Sequence, residues 1–187
     1  MSLDSVADRA WRTFLSTAWR PDFDGSAADD AAGEGRGNTH WGVVRATWAA
    51  EVARGCPVLD QDFDTASQND FGMVLRWACW RPLWCNQIAL GGAPGAAIVL
   101  GNMAMVAGAR EAVLLLQRML GSVDSDGVMG PITCSAVIFA MQGRPDLIGD
   151  LTRADEAFFA SLPTAPEFLA GWTRRAEVFA AVARGFS

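Results

Sequence analysis

The sequence predicts an all-α fold, with at most a short hairpin, and three observations support this prediction. Apolar residues recur at helical spacing along most of the chain, as with Val6, Ala10 and Phe14. Sustained alternation of apolar and polar residues, which is typical of a half-buried strand, is missing from the sequence. At 187 residues with 51% hydrophobic residues, the chain is long enough to bury most of its surface around one core. We therefore expect one globular unit spanning residues 1–187.

Capping residues, glycines and prolines set the expected helix boundaries. The predicted helices span residues 5–18, 45–54, 65–80, 96–106, 109–120, 131–141, 146–162 and 166–184. Asp64 is the expected N-cap of the third of these helices, and Gly121 is the expected stop after residues 109–120. The segment just before residue 96 is expected to be a glycine-rich lead-in. The helices at 96–106 and 109–120 are the expected centre of the core.

The charged and metal-binding residue types exclude some classes of function. The formal net charge is −6, and the chain contains no lysine, so a continuous cationic surface for nucleic acid is not expected. The four cysteines are too scattered for paired zinc-ligand spacing, and His40 is the only histidine, so we expect no metal. Free and mostly buried thiols are the expected state of the cysteines.

Two further patterns concern membranes and location. Residues 82–109 carry no charge and are long enough to span a bilayer, but Pro94 and several glycines interrupt the run. This favours a buried helix over an integral membrane segment. Residues 1–10 contain Asp4, Asp8 and Arg9 and no apolar run, so we expect synthesis in the cytoplasm without a secretory signal. Nothing in these patterns indicates an oligomeric state.

Residues 21–38 form a polar, glycine-containing segment that is too long for a simple connector in a compact domain. Its acidic residues are Asp22, Asp24, Asp29, Asp30 and Glu34. Long loops of this kind are commonly functional, and a short hairpin inside the loop is compatible with the pattern. The acidic loop is therefore the first place where we expect chemistry.

Several short segments match one known family in their order and spacing. They are residues 39–43 (THWGV), 102–108 (NMAMVAG), 115–118 (LLQR), 126–133 (DGVMGPIT) and 168–172 (FLAGW). Together they resemble glycoside hydrolase family 108, the lysozyme-like N-acetylmuramidases. The resemblance implies an N-terminal lysozyme-like region at residues 5–93, with its active-site loop at 21–43. It also implies a C-terminal peptidoglycan-binding region at residues 94–185.

The reaction implied by the resemblance is hydrolysis of the MurNAc–GlcNAc β-1,4 bond of peptidoglycan glycan strands, without a metal or organic cofactor. This chemistry needs a protonated carboxyl beside the leaving oxygen and a second group on the opposite face of the sugar. The family carries a Glu-Gly-Gly motif after its first helix, and residues 17–20 (TAWR) stand there in this chain. We predict Glu34 as the substitute general acid, with Asp30 or Asp24 as the second carboxylate. A solvated loop residue is the alternative for Glu34.

Five residues are predicted to contact the glycan. They are Thr39, Trp41, Trp48, Trp80 and Asn102. Trp41 and Trp48 follow the acidic loop closely and could form an apolar wall that raises the pKa of Glu34. The amide of Asn102 could bond an acetamido group, and the alternative is a buried amide that ties two helices together.

Three functions remain open from the sequence. The first is an active muramidase, the second is a peptidoglycan-binding domain that has lost the catalytic acid, and the third is a phage- or secretion-associated scaffold with the same fold. A wall-active protein without a leader would act in the periplasm or cell wall after release by a holin, by lysis or by a secretion system.

Overall fold

The computed structural model describes residues 5–19, 39–144 and 146–186, and these residues are mostly helical. The helices are α1 Val6–Ala18, α2 Arg45–Ala53, α3 Gln68–Leu75, α4 Cys85–Leu90, α5 Pro94–Ala107, α6 Ala109–Leu120, α7 Pro131–Gly143, α8 Leu147–Ser161 and α9 Ala165–Arg184. A π-helical turn, Arg76–Trp80, continues α3. Two short antiparallel strands, β1 Thr39–His40 and β2 Val43–Val44, pair with Thr39 opposite Val44. The all-α prediction, with one short hairpin, is confirmed.

The start of α3 differs from the prediction. Ser67 caps this helix: its hydroxyl accepts a hydrogen bond from the Asp70 N–H (3.3 Å), and the Asp70 carboxylate accepts one from the Ser67 N–H (3.1 Å). The expected cap, Asp64, instead forms an ion pair with Arg45. The predicted start at residue 65 is wrong because the Asp62 carbonyl closes a turn just before the helix, accepting the N–H of Ala66 at 2.9 Å.

Helix α4 was not expected. The residue before it, Trp84, has a left-handed backbone with φ of 52°, and Gly91 ends the helix after six residues. A helix this short leaves too few residues for a periodic pattern to stand out in the sequence. Its buried residues, Cys85, Ile88 and Ala89, pack towards α1 and α5. The charge-free stretch is therefore two helices joined by a tight glycine-containing turn.

The core is organised around α5. Every residue from 94 to 104 is buried, and α5 packs against α1, α4, α6, α8, α9 and the π-helical turn. A helix that is apolar on all sides is typical of the centre of a globular core. Two glycines permit the close approach of its neighbours: a Cβ on Gly95 would lie 2.6 Å from the Ala183 carbonyl oxygen, and one on Gly101 would lie 2.9 Å from Cε2 of Phe14.

Two findings concern the membrane and cysteine predictions. Among the described residues, no helix combines the length and apolar character needed to cross a bilayer. Cys56, Cys79, Cys85 and Cys134 are all buried and carry free thiols. Burial raises the pKa of the Cys79 thiol to about 12, which keeps it protonated at neutral pH.

Helices α6 and α7 are joined by a turn that Gln117 holds. The amide oxygen of Gln117 accepts the Gly127 N–H at 2.8 Å, and its amide nitrogen donates to Asp126 (2.8 Å) and to the Thr133 hydroxyl (3.2 Å). Gly127 adopts a φ of 74°, a conformation that favours glycine. The segment 126–133 thus fixes the geometry of the turn.

Candidate functional site

A groove of about 820 Å³ lies between two walls of the molecule. One wall contains Gly42 and Val43 of the β1–β2 hairpin and Glu51 of α2. The other wall contains residues 104–111, at the end of α5 and the start of α6. Residues of α3, the π-helical turn and Pro82 lie between the two walls. This volume falls in the range of natural ligand sites, which is roughly 300–1,000 Å³.

The hairpin turn sets the edge of the groove. Trp41 and Gly42 both have positive φ, 51° and 76°, as a two-residue hairpin turn of the primed type requires. A Cβ on Gly42 would lie 3.0 Å from Cε of Met105, so the turn packs closely on the opposite wall. The Trp19 indole N–H donates to the Trp41 carbonyl at 3.3 Å and ties the end of α1 to this turn.

Charged side chains line both walls of the groove. On α2, the Glu51 carboxylate is only 8% exposed and accepts a hydrogen bond from Nη1 of Arg54 at 2.7 Å. On α6, Arg110 and Glu111 face the same groove, and Glu111 is paired with Arg118 at 3.4 Å. None of the described residues that line the groove is aromatic. Most of the other lining residues are small or apolar, so the charged groups of this surface belong to Glu51, Arg54, Arg110 and Glu111.

A buried polar network lies behind the α5 wall. Nε of Arg175 donates to Oδ1 of Asn102 at 2.8 Å, and Nδ2 of Asn102 donates to Oδ2 of Asp155 at 3.3 Å. Nη2 of Arg175 lies 2.9 Å from the sulfur of Met105, which lines the groove. Among the described side chains, Oδ1 of Asp155 is buried without a hydrogen-bond partner. The network links α5, α8 and α9 directly behind the groove wall.

Burial raises the pKa of Asp155 to about 7, although the Arg175 guanidinium acts in the opposite direction. Asp70, which caps α3, behaves differently. Burial alone would raise the pKa of Asp70, but hydrogen bonds from the Ser67 hydroxyl and from the N–H groups of Leu59 and Ser67 outweigh it and hold the pKa below its ordinary value.

The three carboxylates predicted for catalysis lie outside the described residues. They are Glu34, Asp30 and Asp24, and their roles stay predictions. The loop that carries them leads into β1, where Thr39 is half-buried and pairs with Val44. The chain therefore connects the acidic loop directly to the hairpin at the groove edge.

The predicted glycan-contacting tryptophans have different surroundings. Trp41 is half-buried in the hairpin turn, with its ring 6.0 Å from that of Trp19. Trp48 is 3% exposed and packs on Phe71, while Trp80 is fully buried and donates its indole N–H to Asn86 at 2.7 Å. A buried ring has no face to offer a sugar, so core packing takes the place of the predicted sugar contact at Trp48 and Trp80.

Asn102 also lacks exposed surface. Its amide joins Asp155 and Arg175, so the structure places it as a buried amide that ties helices together, which is the second of the two interpretations considered for this residue.

The sequence analysis missed the charged residues of the groove. Glu51 of α2 and Arg54, which directly follows this helix, are three residues apart, a spacing that places opposite charges side by side on a helix. That spacing was a usable signal for the pair. That these two residues line the same groove as Arg110 of α6 could not be predicted from the sequence, because it depends on how α2 and α6 are arranged in the fold.

Comparisons with known proteins agree with the peptidoglycan-related part of the resemblance. Residues 111–177, which run from α6 to α9, match the family described as "Predicted Peptidoglycan domain". The chain is also similar to a solved structure, SagA of Brucella abortus, with a TM-score of 0.70 and 26% sequence identity, covering 97% of this chain and 95% of that one. No curated protein is significantly similar in sequence. The matched segment begins at Glu111 on the groove wall and contains Asp155 and Arg175.

Proposed function

We propose that the protein acts on peptidoglycan as an N-acetylmuramidase of the family 108 type, binding glycan strands in the groove and hydrolysing the MurNAc–GlcNAc β-1,4 bond. One observation carries this proposal: an open groove of about 820 Å³ is lined by Glu111, the first residue of the segment that matches a peptidoglycan domain, and by the residues of α5 and α6 that precede it. The similarity to SagA over nearly the whole chain adds support for an intact fold of this type.

Glu34 is the proposed general acid, with Asp30 or Asp24 as the second carboxylate. Glu34 precedes Thr39 by five residues. The acid would protonate the leaving oxygen while the second carboxylate stabilises the oxocarbenium-like transition state or activates water.

Release of reducing ends from purified Gram-negative sacculi tests the hydrolase. Wild type should release them, and Glu34→Gln should abolish release while leaving sedimentation with sacculi unchanged. Glu177→Gln, at an exposed position of α9, is the matched control and should behave as wild type. Equal release by wild type and Glu34→Gln would refute the assignment of Glu34.

A second candidate function is peptidoglycan binding without hydrolysis, and the end of α1 favours it. Where the family carries its Glu-Gly-Gly motif, this chain has residues 17–20 (TAWR), and the buried hydroxyl of Thr17 donates to the Thr13 carbonyl at 2.7 Å. Trp19 follows and holds the hairpin turn. This end of α1 therefore supports the hairpin and offers no carboxyl. Sedimentation with sacculi without release of reducing ends would favour this candidate, and failure to sediment would contradict both.

A further inference from the structure

Two arginines line the groove from opposite walls. Arg54 directly follows α2, and its side chain is 71% exposed. Arg110 is in the first turn of α6 and is also exposed. Helix α2 and helix α5 each pack against the π-helical turn, which lies between them, and α6 continues from the end of α5. Both arginines therefore line the same groove, one on each wall.

In each arginine, part of the side chain contacts the protein, and other N–H groups of the guanidinium remain to donate to a ligand. Arg54 donates one hydrogen bond, from Nη1 to the nearly buried Glu51, and a guanidinium has five N–H donors. The stem of Arg110 packs on Gly127, where a Cβ would lie 3.0 Å from its Cγ. Its Nη2 makes only a long contact, 3.5 Å, with the Asp126 carbonyl.

Each carboxylate around these arginines is already engaged within the protein. Glu51 is held by Arg54, and Glu111 is paired with Arg118. Asp126, near Arg110, accepts hydrogen bonds from Gln117 and from the Val128 N–H, both at 2.8 Å. The groove thus presents guanidinium donors although the chain as a whole has a net charge of −6.

We propose that the groove recognises carboxylates of the wall polymer, and that Arg54 and Arg110 bind them. The inference rests on the proposed function and specifies its ligand: glycan bearing lactyl or stem-peptide carboxylates, in preference to neutral N-acetylglucosamine polymer. The planar guanidinium matches a carboxylate with two parallel hydrogen bonds.

Binding to three polymers tests the inference: intact sacculi, sacculi stripped of stem peptides by an amidase, and chitin. The amidase removes the stem-peptide carboxylates and frees the lactyl carboxylate, which forms an amide with the stem peptide in intact sacculi; chitin has no carboxylate. Wild type should bind intact sacculi more tightly than chitin. Arg54→Gln and Arg110→Gln should each weaken binding to sacculi by roughly 10-fold, with little change on chitin.

Arg153→Gln is the matched control, because Arg153 is an exposed, carboxylate-paired arginine of α8 outside the groove. Arg54→Lys keeps the charge without the planar geometry and should give an intermediate loss, and circular dichroism verifies that each variant is folded. Binding to intact sacculi that is lost on stripped strands would identify the stem peptide as the source of the carboxylate, and tighter binding to stripped strands than to intact sacculi would identify the lactyl group.

Two outcomes would overturn the inference alone: equal binding of wild type to sacculi and chitin, or wild-type affinity for sacculi in the Arg54→Gln, Arg110→Gln double variant. Failure of wild type to bind any wall polymer would instead contradict the proposed function, and the inference with it.

Discussion

Asp155 is a carboxyl inside a helical core, and its two oxygens have different surroundings. Oδ2 accepts a hydrogen bond from Asn102, and Oδ1 has no partner among the described side chains. An unpartnered, buried carboxylate oxygen costs free energy, and protonation lowers that cost by removing the charge. This explains why burial raises the pKa of Asp155 to about 7 even with Arg175 nearby.

The first prediction concerns Asp155→Asn and pH. The pKa of an unfolded Asp is about 3.9, so between that pH and 7 the folded protein holds a proton that the unfolded chain has released. The free energy of unfolding of wild type should therefore fall as pH rises across this window, and Asn cannot lose a proton. The free energy of unfolding of Asp155→Asn relative to that of wild type should therefore increase with pH, by at most about 4 kcal/mol between pH 4 and 8.

Urea unfolding at several pH values measures this difference. Asp124→Asn, at an exposed position, is the control and should follow wild type at every pH. A constant difference between Asp155→Asn and wild type would show that Asp155 is ionised in the folded protein throughout this range.

Single residues were the hardest features to predict from the sequence. Trp80 was predicted to contact the glycan and is fully buried, whereas the full burial of Asn102 agrees with the second interpretation of its amide. Residue type indicates that a tryptophan or asparagine can contact a sugar, but exposure depends on which neighbours cover it. By contrast, no feature of the sequence indicated that Arg110 lines a groove, because the opposite wall is formed by residues more than fifty positions earlier in the chain.

At the scale of elements, the sequence was a better guide. Most helices begin and end within a few residues of the predicted positions. The end of α6 and the start of α7, for example, have strong signals at Gly121 and Pro131. Two errors have physical causes: Asp64 resembles a cap but pairs with Arg45, and α4 is too short to show a period. Local signals thus locate helices, while long-range pairing determines which of two possible caps is used.

The second prediction uses two helical glycines with opposite surroundings. A Cβ on Gly95 would lie 2.6 Å from the Ala183 carbonyl oxygen, so Gly95→Ala must push α5 and α9 apart. We expect a loss of roughly 1–3 kcal/mol in the free energy of unfolding. A Cβ on Gly171, in α9, would meet nothing within 4 Å, so Gly171→Ala should stabilise by up to about 1 kcal/mol through helix propensity.

Chemical denaturation of both variants and of wild type measures these effects. Equal m-values would indicate that unfolding exposes the same amount of surface in all three proteins. Opposite signs are the expected result. A neutral Gly95→Ala would mean that α9 is free to move away from α5, contrary to the close packing of these helices.

At the scale of the whole molecule, α5 connects the two regions that the sequence analysis separated. It packs on α1, α4 and the π-helical turn of the first region and on α6, α8 and α9 of the second. Both the groove and the buried Asp155 network use α5 residues, so the proposed ligand site depends on elements from each region. The prediction of one globular unit can therefore be tested through cooperativity.

The third prediction is that a core substitution in either region lowers the stability of both. Val74 of α3 and Leu151 of α8 are fully buried, one in each region. Val74→Ala should cost roughly 1–3 kcal/mol and Leu151→Ala roughly 2–5 kcal/mol. In a single cooperative unit, Val74→Ala should lower the free energy of exchange of the most protected amides in α8 and α9 by its full cost in stability. Leu151→Ala should do the same for the most protected amides of α3, and native-state hydrogen exchange measures both effects. Two independent units would confine each loss to the region that carries the substitution. Because α5 is buried by helices of both regions, opening either region would expose it to water, and for this reason we expect the losses to be shared.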